Sequence, residues 1–316
     1  MIDGARELLI GIDGGGTDTV TYLGVLGDTD SFVVAGRGKS GSSNRNAVGL
    51  ETALGHLDQS IQFAFEDAKI PRRPATSACL ALAGVDRATQ QAPFKVWAEE
   101  IQLSKHLLVS NDALPVIYAA NRDGLGLALI AGTGSLCLGR TESGYTARCG
   151  GWGGLFGDEG SGYRIAIEAM RAAARDEDGR GPSTELLTGL RDRLDVHKLY
   201  HAIPLLYDPR TSRAEIASYA PLVFEIAENG DPVAAKIIEQ AAISLSELVT
   251  TVHAKLNQSP LPPTVGLAGG VLTRQLAFSK RVAQKTENQM QSPIETVIVT
   301  EPALGALRMA QLNIRD

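Results

Sequence analysis

Leu8-Leu9-Ile10-Gly11-Ile12-Asp13-Gly14-Gly15-Gly16-Thr17 is an apolar run that ends in an acid, three glycines and a threonine, and a second apolar run, Val20–Leu26, follows it. Two short apolar runs separated by a glycine cluster read as two strands joined by a tight turn. Asp13–Thr17 is therefore expected to be a hairpin turn. That placement argues against a dinucleotide fingerprint, which opens a helix and needs G-x-G-x-x-G, and the P-loop pattern G-x-x-x-x-G-K-[ST] is absent as well. Glycines in such a turn let backbone N–H groups approach an anion that a Cβ would hold off. Gly14, Gly15, Gly16 and Thr17 are thus candidate phosphate donors, and Asp13 can orient Mg²⁺, directly or through its bound water.

The arrangement recurs. After the first hairpin come a strand Phe32–Ala35, a helical stripe Leu50, Leu54, Leu57, Ile61, Phe65, a strand Cys79–Ala83, a helix Phe94–Ile101, a strand His106–Ser110 and a helix Leu114–Ala120. Farther on, Leu125–Ala131, Leu136–Gly139 and Tyr145–Arg148 again give three strands before a helix that starts near Ser161. Asp231 and Pro232 then open a long helix through Val252, and Val265–Ala268, Gln275–Lys285, Val297–Val299 and Pro302–Leu312 alternate strand and helix. The apolar strands lack alternation, as expected of strands covered by helices on both faces. Two duplicated α/β domains with a cleft between them follow: 1–120, completed by the C-terminal helix 302–316, and 121–301, carrying a helical insertion at about 175–230. The charged stretch between Arg175 and Arg213 has no readable role.

Gly132-Thr133-Gly134-Ser135 occupies the turn equivalent to Asp13–Thr17. Either loop alone is explained equally well as a plain hairpin, but recurrence at matching positions favours phosphate binding by Thr133 and Gly134 together with the first loop. Gly269-Gly270, between a strand and a helix, is a third turn where a nucleoside could approach the backbone; a tight turn explains it too. Asp112 ends the last strand of the first half, the sheet edge where ligands bind, and could serve as a general base; taken alone, it is better explained as the N-cap of a helix beginning at Ala113. Asn44 and Arg45, in Ser42-Ser43-Asn44-Arg45-Asn46, could read hydroxyl groups, with capping by Asn46 explaining part of that run. Trp152, among Gly150, Gly151, Gly153 and Gly154, could form a wall against a ligand or be a core residue near a hinge. Asp158 and Glu159 precede the helix at Ser161 and suit its dipole.

The bulk numbers narrow the classes. The chain has 316 residues, 44% of them hydrophobic, and 30 Lys and Arg against 36 Asp and Glu give a net charge of −6. A disordered chain is excluded and a nucleic-acid partner is not expected. Three cysteines without C-x-x-C spacing indicate neither a disulfide framework nor a zinc site, and no run is long enough for a signal peptide core or membrane span; a cytoplasmic protein is expected.

Taken together, these motifs resemble the acetate and sugar kinase, Hsp70 and actin superfamily, and within it the N-acetylglucosamine kinase group, also called BadF/BadG/BcrA/BcrD-type ATPases. Asp13–Thr17 is similar to its first phosphate loop, Gly132–Ser135 to its second and Leu267-Ala268-Gly269-Gly270 to its adenosine motif. Cys149-Gly150-Gly151-Trp152-Gly153 with Gly157-Asp158-Glu159-Gly160-Ser161 resembles the amino-sugar kinases in particular. The resemblance implies two actin-like (ribonuclease H-like) domains, ATP as donor with Mg²⁺, and transfer to the 6-hydroxyl of N-acetylglucosamine. It implies sugar contacts from Asn44, Arg45, Asp112, Gly151, Trp152, Gly153 and Asp158, with Asp112 as base and Thr17 and Thr133 on ATP. Arg45 departs from the residue types associated with its position. Glucosamine or N-acetylmuramic acid kinases, an ATP-hydrolysing activase and a non-catalytic sugar sensor share the resemblance, and it also implies a homodimer, for which no feature identifies an interface.

Overall fold

The computed structural model describes residues 7–27, 31–256 and 263–314. They divide into two compact units, one running to Ala128 and resuming at Val299, the other spanning Leu129–Ile298.

The first unit is built on β1 (Leu8–Gly14), β2 (Asp18–Leu26) and β3 (Phe32–Gly41), then α1 (Arg45–Val48), α2 (Leu50–Asp67), β4 (Ala75–Leu82), α3 (Ala88–Glu100), β5 (Ser104–Asn111) and α4 (Leu114–Ala120). Its sheet has the order β3-β2-β1-β4-β5. The first three strands are antiparallel, whereas β4 runs parallel to both β1 and β5. β1 is central and both of its faces are covered. Leu8, Ile10 and Ile12 pack with Leu57, Ile61, Phe65 and Phe94 of α2 and α3, while Leu9 packs with Cys79, Tyr118 and a helix from the end of the chain. That burial on both sides is why the strand reads as unbroken apolar sequence.

The second unit repeats the plan with β6 (Gly126–Ala131), β7 (Ser135–Arg140) and β8 (Thr146–Gly150). Helices α5 (Gly162–Glu177), α6 (Glu185–Leu194), α7 (Ile203–Leu206), α8 (Arg213–Ala217), α9 (Ala220–Glu228) and α10 (Pro232–Lys255) follow, then β9 (Thr264–Ala268), α11 (Gly270–Arg274), α12 (Leu276–Met290) and β10 (Glu295–Ile298). Its sheet order, β8-β7-β6-β9-β10, is the first sheet's order repeated. The expected α10 opens as its sequence dictates: Asp231 accepts from the Val233 and Ala234 N–H groups, with Pro232 at the first position. The last helix, α13 (Pro302–Leu312), returns to the first unit and buries Ala303, Ala306, Leu307, Met309 and Ala310 there. No helix among the described residues is long and apolar enough to cross a membrane.

Several boundaries differ from expectation. β3 continues six residues beyond Ala35, through Gly36 and Gly38, which look like strand breakers. A Cβ on Gly36 would lie 2.1 Å from the Ala64 carbonyl oxygen, and one on Gly38 1.9 Å from that of Ser60. These glycines let α2 lie directly on the strand. β10 is an edge strand with two exposed residues at its start, which explains why its apolar signal begins late.

Candidate active site

In the first unit, the carboxyl ends of the parallel strands gather the chemistry. Asp13 lies in β1 and pairs in register with Ala81 of β4, whose partner on β5 is Ser110, two residues before Asp112. Asp13 and Gly14 thus belong to the strand, and the turn itself is Gly15–Thr17, closed by the Gly15 N–H donating to the Asp18 carbonyl at 2.8 Å. The expected hairpin is present but two residues shorter. Burial first, and the charge of Asp112 second, push the half-buried Asp13 carboxyl up from 3.8 to about 7.

The simpler explanation of Asp112, as a helix cap, does not hold. Asn111 does the capping, its side-chain oxygen accepting from the Ala113 and Leu114 N–H groups at 3.1 Å each. Asn44 takes the corresponding part at α1, accepting from the Asn46 N–H at 3.0 Å, so capping by Asn46 is also set aside. The Ser42–Asn46 loop comes back to the β1 and β4 ends. A Cβ on Gly14 would sit 2.2 Å from Ser43 Oγ, and one on Gly84 2.8 Å from Asn46 Nδ2 and 3.3 Å from Asn44 Oδ1. Ser43 is fully buried and its Oγ has no hydrogen-bond partner among the described residues. Arg45 is half-buried at the start of α1.

In the second unit, Gly132–Ser135 turns between β6 and β7. Against its inner side lies Asp158, 3% exposed and in the left-handed region at φ 59°. One Asp158 oxygen accepts from the Ser135 N–H at 3.2 Å, and the other accepts from Arg213. Neither Asp158 nor Glu159 caps α5, since Ser161 does so by accepting from the Arg164 N–H. Trp152 is 68% exposed with its ring 6.1 Å from that of Phe156, which removes the reading as a core residue. Gly151 and Gly153 flank it at φ 71° and 82°. Gly269 begins α11 at φ 86°, where a Cβ would come within 2.4 Å of the Ala131 carbonyl oxygen, so β9 and β6 meet at the third turn as they could with no other residue.

Sequence reasoning passed over Ser43, Gly84 and Arg213. Ser43 carried a signal, a second serine beside Asn44; Arg213 carried none, being 55 residues from the carboxylate it meets.

These residues suit a divalent cation and a phosphate chain. A carboxyl held near neutrality by burial beside a second carboxylate is relieved by a cation. Among the described residues no group of three or more acidic, His or Cys side chains is gathered that could hold a metal ion by itself. Gly16 has nothing within 4 Å of where its Cβ would be, so its backbone faces open space.

Two mixed five-stranded sheets of repeated order with interleaved helices define an actin-like ATPase fold. A solved structure from Chromobacterium violaceum shares it with a TM-score of 0.73 at 24% identity, covering 98% of this chain and 99% of that one. A ROK family glucokinase from Streptomyces griseus, solved with glucose and AMPPNP, shares it with a TM-score of 0.58 at 16% identity, covering 98% and 100%. Within that fold, residues 10–310 match the BadF/BadG/BcrA/BcrD ATPase family, and the chain belongs to it. It is 33% identical over 322 residues to N-acetyl-D-glucosamine kinase of Dictyostelium discoideum, covering 97% of this chain and 98% of that protein. It is 31% identical over 266 residues to N-acetylmuramic acid/N-acetylglucosamine kinase of Clostridium acetobutylicum, covering 84% and 86%.

Proposed function

We propose that this protein transfers the γ-phosphoryl group of ATP to the 6-hydroxyl of N-acetylglucosamine, in the cytoplasm where ATP is supplied. The observation that carries the reading is the pairing of Asp13 and Asp112 at one sheet edge, with helix capping left to Asn111. The two kinases at 33% and 31% identity support the amino sugar as acceptor.

In this reading each carboxylate has one task. Asp112 accepts the proton of the 6-hydroxyl as its oxygen bonds to the γ-phosphorus and the bond to the β-phosphate oxygen breaks, releasing ADP. Asp13 holds Mg²⁺, which when bound neutralises charge on the phosphate oxygens. The backbone N–H groups of Gly14–Thr17 and of Thr133 and Gly134, with the two threonine hydroxyls, bind the phosphates, and Gly269 and Gly270 leave room for the nucleoside. Asn44, Arg45, Gly151, Trp152, Gly153 and Asp158 orient the sugar. Phosphoryl transfer needs little covalent help, so fixing these groups supplies most of the rate. An activase role through cysteine-ligated iron and sulfur is disfavoured by two of the three thiols: burial pushes Cys79 up to about 12 and Cys137 higher still, which opposes the thiolate such ligation needs.

The test is ADP release from Mg-ATP with N-acetylglucosamine, glucosamine, N-acetylmuramic acid, N-acetylmannosamine and glucose, plus a control without sugar. Turnover that depends on an amino sugar, with N-acetylglucosamine fastest, is expected. Hydrolysis indifferent to sugar, or none at all, overturns the proposal.

A further inference from the structure

The helical insertion has no motif of its own, yet one of its side chains ends on the carboxylate at the centre of the second unit's glycine loops. Arg213, the first residue of α8, pairs with Asp158, whose side chain is 5% exposed while that of Arg213 is 46% exposed. The guanidinium lies over the Tyr163 ring at 4.9 Å. Beneath it is Gly154, where a Cβ would stand 3.0 Å from both Nε and Nη2 of Arg213 and 2.7 Å from the Tyr163 ring. The glycine run therefore admits the arginine as well as turning the chain. Beyond the pair, the second Asp158 oxygen holds the Ser135 N–H, Ser135 Oγ donates to the Glu159 carbonyl at 2.7 Å, and the Gly162 N–H donates to the Gly132 carbonyl at 2.8 Å.

We propose that Arg213 is a positioning residue for the sugar side of the reaction: it fixes the Asp158 carboxylate against the second glycine turn, and through it the run from Gly151 to Asp158. The inference rests on the kinase reading, in which Asp158 serves the sugar. The physical case is threefold. A buried carboxylate with a single N–H partner is costly, and an arginine supplies the missing charge and donors. Asp158 occupies a left-handed backbone conformation that a side chain adopts only when its surroundings hold it. Arginine alone can do both jobs here, because its planar face stacks on Tyr163 while its edge reaches the carboxylate; a lysine presents a point charge without the fork. The insertion thereby acquires a function: Ser212 and Glu215 cap each other's backbone at the start of α8 and aim Arg213 at the site.

A double-mutant cycle tests the proposal. Arg213→Ala, Asp158→Asn and the double variant are assayed for KM and kcat with N-acetylglucosamine and ATP, with thermal melting of each. The expected result is a loss of about tenfold or more in kcat/KM for the sugar in each single variant, carried mainly by KM, with the KM for ATP altered less than about threefold. In the Asp158→Asn background, Arg213→Ala should cost little further, because both changes break one interaction. Guanidinium, added far below denaturing concentration, should restore part of the Arg213→Ala activity. Additive losses, or equal losses toward both substrates, would mean that Arg213 acts through general stability and would overturn the proposal. Full activity in Arg213→Ala while Asp158→Asn is impaired would overturn it and leave the kinase reading standing. Full activity in both would overturn it along with the Asp158 assignment. Should the alanine variant not fold, Arg213→Lys carries the same cycle, with an intermediate loss expected and no loss counting against the fork.

Discussion

Asp112 stands one residue past the end of β5 and Asp13 one residue before the end of β1, two strands that run parallel to the β4 between them, and the proposed reaction gives the two acids separate tasks. Asp112→Asn keeps the shape and removes the proton acceptor of the proposed reaction. We expect kcat to fall by about 10²–10⁴ while ATP affinity changes less than about threefold, read by steady-state kinetics and by nucleotide titration; an unchanged kcat removes Asp112 from the reaction. Asp13 yields a prediction in pH. Its carboxyl binds a proton more tightly folded, at about 7, than unfolded, near 3.8, so the folded state holds more protons between those values and stability falls as pH rises through that window. Asp13→Asn should flatten the decline, giving a melting temperature a few degrees above the parent at pH 8 and equal to it near pH 4, without Mg²⁺. A parent melting temperature that rises from pH 5 to pH 8 because of Asp13, judged against the variant, would contradict the cause assigned here.

The turns carry the next prediction, because glycines of similar appearance are held by different forces. Gly269→Ala forces a side chain into a left-handed conformation and drives its Cβ against the Ala131 carbonyl. A loss of about 2–4 kcal/mol in unfolding free energy is expected by denaturant titration. Gly16→Ala meets no neighbour, so stability should move by less than about 0.5 kcal/mol while the KM for ATP rises. If both variants lose only stability, the first turn has no part in phosphate binding. The same distinction marks what the sequence could convey. β1, α2 and α10 were legible because burial or capping writes itself into neighbouring residues. β3 was read only to Ala35, since Gly36 and Gly38 serve a helix that arrives twenty-odd residues later. The glycine turns and Asp112 were legible by type and position; Ser43 was marked only by its place beside Asn44, since a hydroxyl's orphaned state exists only after folding, and Arg213 not at all, since its pairing spans 55 residues.

At the scale of the whole molecule the chain visits the first unit twice, and the second visit is a single helix. α13 buries Ala303, Gly305, Ala306, Leu307, Met309 and Ala310, and it approaches so closely that a Cβ on Gly11 would stand 2.5 Å from the Leu307 nitrogen and one on Gly305 1.8 Å from the Pro115 carbonyl oxygen. Without it, the face of the sheet that carries Leu9, Cys79 and Ala81 would be open to water. Counting both sides of the contact, removal of this helix costs on the order of 10 kcal/mol, comparable with the whole stability of a typical domain. Truncation after Ile298 should therefore leave the first unit unfolded and protease-sensitive, whereas Leu129–Ile298, with a core and sheet of its own, should give protected fragments in limited proteolysis. Adding a synthetic 299–316 peptide should restore protection if the helix acts by packing alone. A truncated chain whose first unit still resists protease and melts cooperatively would show that the sheet is covered by other means, and would also detach Asp13 from its dependence on α13, since β1 carries both the acid and the glycine on which that helix rests.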